Sequence, residues 1–252
     1  MLATRGYRAG LLAALFAAAV IAVAVKPAMG LEVWPLREWT FAFGGGFQPK
    51  ALPKREPTPV SFFLSGSIES KTGAQPPALR TLELEGDNHA AIDVTGLPAC
   101  GWADLRSADT AEVRRACGGA LVGSGEVELL LAYPGSSPIP VRSELVVLNG
   151  GFRGGVTSLF LHARISTPTE TTIVAPVKIK KIDDGRYGTR ATASIPKFAG
   201  GYGLVESFSL KIEKGILTAT CFDRRLQTKL GASFADRTIL SGTLFQPCTP
   251  KG

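Results

Sequence analysis

Only two histidines, His89 and His162, are available in this 252-residue chain as general bases or zinc ligands. A serine or cysteine nucleophile would need one of them beside it, and no GxSxG segment marks such a serine. A metal site would have to combine both histidines with an aspartate such as Asp87 or Asp93, from segments far apart in the sequence. The sequence therefore favours a histidine in a turn (His89) and a half-buried histidine in a strand (His162), and it predicts no metal site.

Two pairs of glutamates, Glu83 with Glu85 and Glu126 with Glu128, are spaced so that a strand would present both members on one face. Two carboxylates are enough to hydrolyse a glycosidic bond without a histidine. Leucines alternate with the first pair, however, which is typical of the solvated face of an antiparallel sheet. We therefore predict a protein that is not an enzyme, with a carboxylate-based hydrolase as the residual alternative.

Four cations, Lys178, Lys180, Arg186 and Arg190, predict a basic sheet face. The first two alternate with apolar residues on one strand, and the arginines come from the next strand across a turn at 183–185. Like charges on neighbouring strands are unfavourable unless they are solvated or bound to an anion. The face is either a docking surface for an anionic polymer or lipid of the cell envelope, or an edge strand that lysines protect from aggregation.

The first thirty residues follow the pattern of a signal peptide. Arg5 and Arg8 precede an unbroken apolar run at 10–25, and Ala28 and Gly30 have the spacing of a cleavage site. We predict cleavage after residue 30 and secretion to the exterior; contact with a membrane is expected only if this segment is retained as an anchor. Cleavage removes three cations and no acid, so the formal charge of +7 falls to +4, too little for a nucleic-acid-binding protein.

The four cysteines of an exported chain predict two disulfides. Three connectivities are possible, and we favour the local one, Cys100 with Cys117 and Cys221 with Cys248, because each pair then brackets a small structural unit. A zinc site is the competing interpretation, but the chain has neither a CxxC pair nor a histidine near the cysteines.

Beyond residue 60 the chain consists of short apolar-alternating runs separated by turns, with one credible helix at 110–117. We predict an all-β fold: an antiparallel two-layer sandwich or an open barrel, or two small β-domains. The predicted organisation is a signal peptide (1–30), a leader and Gly/Pro-rich linker (31–59), an N-terminal β half with the helix (60–149) and a C-terminal β half (150–252). The glycine-rich segment at 149–155 precedes a strand instead of a helix, so it predicts no phosphate cradle and no cofactor.

The stretch 178–212, together with IDVTGLPAC, ACGGALVGSG, PIPV, NGGFRGG and PCTPKG, resembles a family of secreted, β-rich proteins from actinobacteria. The resemblance spans roughly residues 58–252. The family has no assigned activity, ligand or catalytic residue. The resemblance therefore implies secretion and β-structure, and it contributes no site residue.

These observations predict an exported, non-catalytic binding or structural protein of the cell exterior that docks anionic envelope components through its basic face. The alternative is a carrier of an apolar ligand, because continuous apolar strands such as residues 126–133 and 144–148 would line a cavity as readily as a core.

Overall fold

A computed structural model describes residues 30–251, apart from the side chain of Lys214. The predicted signal peptide thus lies outside the described residues except for Gly30. The described strands are β1 (Gly30–Leu36), β2 (Trp39–Gln48), β3 (Ala51–Pro53), β4 (Thr58–Ser70), β5 (Leu79–Asp87), β6 (Ala90–Ile92), β7 (Leu121–Leu131), β8 (Ile139–Arg153), β9 (Val156–Ile165), β10 (Thr171–Asp184), β11 (Tyr187–Ser194), β12 (Gly203–Ala219), β13 (Arg225–Phe234), β14 (Ile239–Pro247) and β15 (Thr249–Lys251). The α-helices are α1 (Trp102–Leu105) and α2 (Thr110–Cys117). Within this part of the chain no helix has the length and apolar character needed to cross a membrane.

Thirteen strands form one antiparallel sheet that curls until its two edges lie side by side. The order across the sheet is β1-β2-β4-β12-β7-β8-β9-β10-β11-β5-β13-β14, and β6 pairs with β12. The edge strands β1 and β14 contact each other, so the sheet is nearly closed into a barrel-like shape. The predicted all-β class is confirmed, and the sheet corresponds to the predicted open barrel more closely than to the sandwich.

Residues 31–59, predicted as a leader and linker, form strands β1 to β3 instead. The glycine-rich β2 is not a spacer but a central strand that pairs with both β1 and β4. Gly45 of β2 and Gly30 of β1 lie where the opposite edge of the sheet comes close: a Cβ on Gly45 would lie 3.0 Å from Cδ1 of Leu244, and one on Gly30 would lie 3.1 Å from the carbonyl oxygen of Phe245. Glycine in a strand is typical of such close approach. The segment therefore permits the sheet to close.

The predicted division into halves at residues 149 and 150 also differs from the structure. That boundary lies inside β8, which continues to Arg153. Strands from before and after it are interleaved, since β5 lies between β11 and β13, and β12 lies between β4 and β7. Both predicted halves therefore contribute interleaved strands to the same thirteen-stranded sheet, and among the described strands the short parallel pair of β3 and β15 lies outside it.

The helical segment is closed by the disulfide between Cys100 and Cys117, whose Cα atoms are 5.6 Å apart, as predicted. Helix α2 has the predicted bounds. It begins after Asp109, whose side chain accepts a hydrogen bond from the backbone N–H of Glu112 at 2.8 Å, while the Glu112 carboxylate accepts one from the backbone N–H of Asp109 at 2.9 Å. This reciprocal cap satisfies two N–H groups that the helix leaves free.

This helical unit packs on the outer face of β8 and β9. Leu105 and Val113 form an apolar cluster with Val146 and Leu148 of β8. Strand β8 is therefore buried on both faces, as its continuous apolar run predicts. The same is predicted for strand β7, but over residues 126–131 it alternates between exposed or half-buried and buried positions, because no helix of the described part of the chain packs on its outer face.

The second disulfide joins Cys221, just after β12, to Cys248, between β14 and β15, and it confirms the other predicted pairing. Their Cα atoms are 6.0 Å apart. Both cysteines are buried in an apolar cluster with Phe47, Leu52 and Leu226 at one end of the sheet. Two disulfides are typical of a protein that folds in an oxidising, extracytoplasmic compartment.

Candidate functional site

The interior of the curled sheet holds an apolar cavity of ≈200 Å³. Aliphatic side chains from four strands form much of its wall: Val60, Leu82, Leu84, Val177, Ile179 and Ile212. A second cavity of ≈70 Å³ adjoins it. Both are lined by Leu82, Leu161, Ala193 and Leu210, so the unfilled space continues along the interior.

One end of the larger cavity is polar. Asp87, Thr228 and Gln246 line it there and are buried, and the half-buried Gln227 lies beside them. The side-chain Nε2 of Gln246 is enclosed and has no hydrogen-bond partner among the described residues. A buried hydrogen-bond donor that no longer contacts water destabilises the folded protein unless another group accepts its hydrogen bond. The cavity therefore offers an apolar wall and a polar end at which the Nε2 donor of Gln246 has no partner among the described residues.

Asp87, the last residue of β5, organises this polar end. It is 2% exposed, and its carboxylate accepts hydrogen bonds from Nε of Arg186 at 2.7 Å, from Nδ1 of His89 at 2.9 Å and from the backbone N–H of Gln227 at 2.9 Å. Arg186 also binds Asp223, with nitrogen–oxygen distances of 2.5 and 3.0 Å. One arginine thus ties together the β5–β6, β10–β11 and β12–β13 turns.

The electrostatics of this network favour its ionised form. Hydrogen bonds from Arg186 lower the pKa of Asp223 to about 2. The same bonds, together with those to Asp87, raise the pKa of Arg186 above its ordinary value. Asp223 and Arg186 therefore stay charged across the physiological pH range.

The predicted basic face is largely neutralised in the structure. Lys178 and Lys180 are exposed on β10, and Lys180 lies opposite Arg190 on β11, as expected. Arg190, however, donates from Nε to Glu85 at 2.9 Å, and Arg186 turns to the polar end of the cavity. Only the two lysines of the predicted set are without an ion pair among the described residues.

The first candidate carboxylate pair, Glu83 and Glu85, accounts for part of this neutralisation. Glu85 is covered by Arg190 and by Lys229, whose Nζ lies 3.1 Å from Oε2. Burial alone would raise the pKa of Glu85, but hydrogen bonds from these two cations outweigh it and lower the pKa below its usual value. The Oε1 atom of Glu83 lies 3.6 Å from Nε of Arg190. A glutamate held ionised between two cations is not suited to act as a general acid.

The second candidate pair lies on the outer face of β7. Glu128 accepts hydrogen bonds from Arg142 and from the hydroxyl of Ser207, which lower its pKa. Glu206, which sequence reasoning did not single out, has a raised pKa because it is partly buried and lies near the Glu128 charge. Opposed pKa shifts in neighbouring carboxylates are typical of acid–base pairs. Neither Glu128 nor Glu206 lines either of the two apolar cavities, so these two carboxylates lie apart from the interior space.

His162 is fully buried under the helical unit, whereas the sequence predicted a half-buried position. Its Nε2 lies 3.1 Å from the carbonyl oxygen of Ala108. Because a carbonyl only accepts, Nε2 carries the proton, and Nδ1 has no partner among residues 30–251. Burial lowers the pKa of His162, and the hydrogen bond to Ala108 opposes this only in part.

This environment predicts a pH-dependent stability. The unfolded chain takes up a proton at His162 near pH 6.5, whereas the folded chain does so only at lower pH. The contribution of neutral His162 is thus complete above about pH 6.5 and is lost as the pH falls toward the lowered folded pKa, by at most about 1.4 kcal/mol per pH unit. Chemical denaturation between pH 7 and pH 5 should show this decline, and His162→Gln should flatten it; an equal slope in both proteins would contradict the assignment.

His89 lies in the β5–β6 turn, as predicted. Its ring is bonded to Asp87 and stacks on the exposed ring of Phe222, with 5.9 Å between ring centroids. The metal site considered from the sequence does not form within the described residues, where no three His, Cys, Asp or Glu side chains are grouped to hold an ion.

Two residues give the site its polarity, Asp87 and Gln246. Sequence reasoning considered Asp87 only as a possible metal ligand, and it missed Gln246. The alternation of apolar and polar residues predicts strands β5 and β14, but it does not predict that Asp87 and Gln246 are buried. One signal was available for Gln246: it alternates with Leu244, so it belongs to the inward-facing side of its strand.

Comparison of the chain with protein-family models, with curated proteins and with solved structures finds no match.

Proposed function

We propose that this protein is a non-catalytic carrier that holds an apolar ligand with one polar group inside its curled sheet. The observation that supports this function best is the cavity of ≈200 Å³, whose wall is aliphatic and whose end carries the unpaired Nε2 of Gln246. Ligand sites of this kind combine a largely apolar wall with a few polar groups that orient the ligand.

The size of the cavity limits the ligand. An engineered apolar cavity of about 150 Å³ binds benzene and stays free of water. The cavity here is larger, so it accommodates a one-ring or two-ring aromatic molecule, or a short segment of an alkyl chain. The acidic Asp87 at the polar end disfavours a carboxylate there. We therefore expect a neutral polar group on the ligand.

The cellular setting is part of the proposal. The signal-peptide pattern of residues 1–30 and the two disulfides support secretion. Docking of an anionic envelope component by Lys178, Lys180, Arg186 and Arg190 stays a prediction, and the engagement of both arginines with carboxylates weakens its support. A hydrolase using Glu83 or Glu126 has no such supporting observation.

The carrier function is tested by filling the cavity. Ala191 lines the cavity, and a phenylalanine ring there would occupy space that the ligand needs. With 1-aminonaphthalene as an environment-sensitive fluorescent probe, we expect saturable binding to the wild-type protein after extraction of bound lipids. We expect Ala191→Phe to weaken this binding at least tenfold, since the loss of several apolar contacts amounts to more than about 1.4 kcal/mol.

The matched control is Ser194→Phe, which adds the same ring on the exposed outer face of the same strand. This variant should bind the probe like the wild type. Thermal unfolding monitored by circular dichroism establishes that both variants are folded. Absence of saturable binding to the wild type, or equal binding by all three proteins, would contradict the proposed function.

A further inference from the structure

We propose that the end of the sheet carrying the polar part of the cavity docks on the surface of an anionic lipid bilayer. Five exposed cations surround this end, and we call them the basic rim: Lys54, Arg55, Arg224, Arg225 and Lys251. The exposed aromatic ring of Phe222 lies among them. Cations that attract anionic headgroups, together with an aromatic ring that enters the interface, are the usual means of peripheral membrane binding.

Backbone contacts bring the basic rim together from three distant parts of the chain. The N–H of Cys221 donates to the carbonyl of Pro53 at 2.9 Å, which places the turn after β12 beside the turn after β3. Strand β15 pairs with β3 so that Lys251 lies opposite Pro53. The N–H of Cys248 donates to the carbonyl of Arg224 at 2.9 Å, and the disulfide to Cys221 fixes the same arrangement.

The charge balance of this surface favours an anionic partner. No member of the basic rim forms an ion pair within residues 30–251, unlike Arg186 and Arg190 of the predicted basic face. Of the acidic residues in the same turns, Asp223 is held by Arg186, and Glu56 has no ion pair among the described residues. The adjacent β10–β11 turn adds two exposed aspartates, Asp183 and Asp184, so the five cations of the basic rim still outnumber the three unpaired acids near them. Each exposed cation near an anionic membrane surface strengthens binding about fivefold.

Phe222 is exposed over 64% of its surface. Its ring is held in place because it stacks on His89, which in turn binds Asp87. An ordered, protruding ring beside several cations is suited to insertion between headgroups, where its apolar face leaves water without an entropic cost of ordering.

Docking at this end would serve the proposed carrier function. Ala91, which follows His89 by two residues, is exposed and also lines the cavity, so the cavity reaches the surface beside β6. Contact of the basic rim with a bilayer would place this opening at the source of an apolar ligand. Only the connection between docking and ligand uptake rests on the proposed function, because membrane binding itself needs no cavity.

The test measures partition of the full secreted chain onto vesicles of phosphatidylglycerol and phosphatidylcholine by co-sedimentation at low and high salt. We expect binding at low salt that weakens at 0.5 M NaCl, where charges are screened within about 4 Å. Lys54→Glu with Arg55→Glu should weaken binding about 20-fold or more, from the two lost contributions. Phe222→Ser should also weaken it while leaving the salt dependence unchanged.

The matched control is Lys178→Glu with Lys180→Glu, which reverses two exposed lysines away from the basic rim and should change binding by less than threefold. Lack of vesicle binding by the wild type, or an equal loss in both double variants, would overturn the proposal, and the second result would favour the predicted basic face. Binding of 1-aminonaphthalene to the same variants keeps the two proposals separate: retained probe binding without vesicle binding contradicts docking alone.

Discussion

Replacement of Asp87 by alanine should lower the free energy of unfolding by about 3 kcal/mol, as expected when one partner of a buried ion pair is removed. The carboxylate is 2% exposed and accepts hydrogen bonds from Arg186, His89 and the backbone of Gln227. Its loss leaves these donors without their acceptor, although the side chains of His89 and Arg186 are 29% and 26% exposed and Arg186 keeps Asp223. Because Arg186 keeps this second partner, we expect a loss of stability at the lower end of the range for buried ion pairs. Urea denaturation at pH 7 measures the effect.

A matched control is Asp236→Ala, which removes another turn aspartate that accepts from nearby groups, namely the backbone N–H and the hydroxyl of Thr238. This carboxylate is exposed, so its loss should cost less than about 1 kcal/mol. Asp87→Asn, which keeps the size and part of the hydrogen bonding, should fall between the two. Equal destabilisation by Asp87→Ala and Asp236→Ala would show that the buried network does not tie the three turns together.

Removal of the disulfide between Cys221 and Cys248, by alanine at both positions, should lower the free energy of unfolding by about 3 kcal/mol. The pair closes a loop with a sequence separation of 27 residues, and cross-links of this length restrict the unfolded chain by about that amount. The effect extends to the site, because Phe47, Val60 and Leu226, which pack in the same cluster, also line the cavity. Probe binding should therefore weaken as well.

The disulfide between Cys100 and Cys117 provides a control that separates the loss of stability from the loss of probe binding. Alanine at Cys100 and Cys117 removes a cross-link with a separation of 17 residues, and it should cost a similar free energy. The helical unit that it closes packs on the outer face of β8 and β9 and not on the cavity, so probe binding at low temperature should be unchanged. Loss of probe binding in both double-alanine variants would mean that the cavity depends on the overall stability of the fold and not on the apolar cluster around Cys221 and Cys248.

Local patterns were enough to predict much of the fold. Period-2 alternation located most strands, the bounds of α2 followed from Asp109 and Gly118, and the short spacing of the cysteines indicated their pairing. These features depend on neighbours in the sequence. The turn at Gly185, where φ is 57°, is another such case, because glycine adopts this conformation without strain.

Features that depend on distant contacts were missed. The glycines of β2 indicate a linker until Leu244, some two hundred residues away in the chain, is seen to lie against Gly45. The arginines of the predicted basic face indicate a free positive surface until the distant Glu85 and Asp87 are placed beneath them. Alternation shows which side of a strand faces inward but not how well the interior is filled, so the cavity could be listed from the sequence only as an alternative.

The central claim, that the interior of the sheet holds an apolar ligand, is tested most directly by native mass spectrometry of the protein secreted by its own host, with a denatured sample as control. We predict an adduct of small-molecule mass that survives in the native spectrum, disappears on denaturation and is absent from Ala191→Phe. A wild-type protein that is bare in the native spectrum, or an adduct of equal abundance in Ala191→Phe, would contradict it.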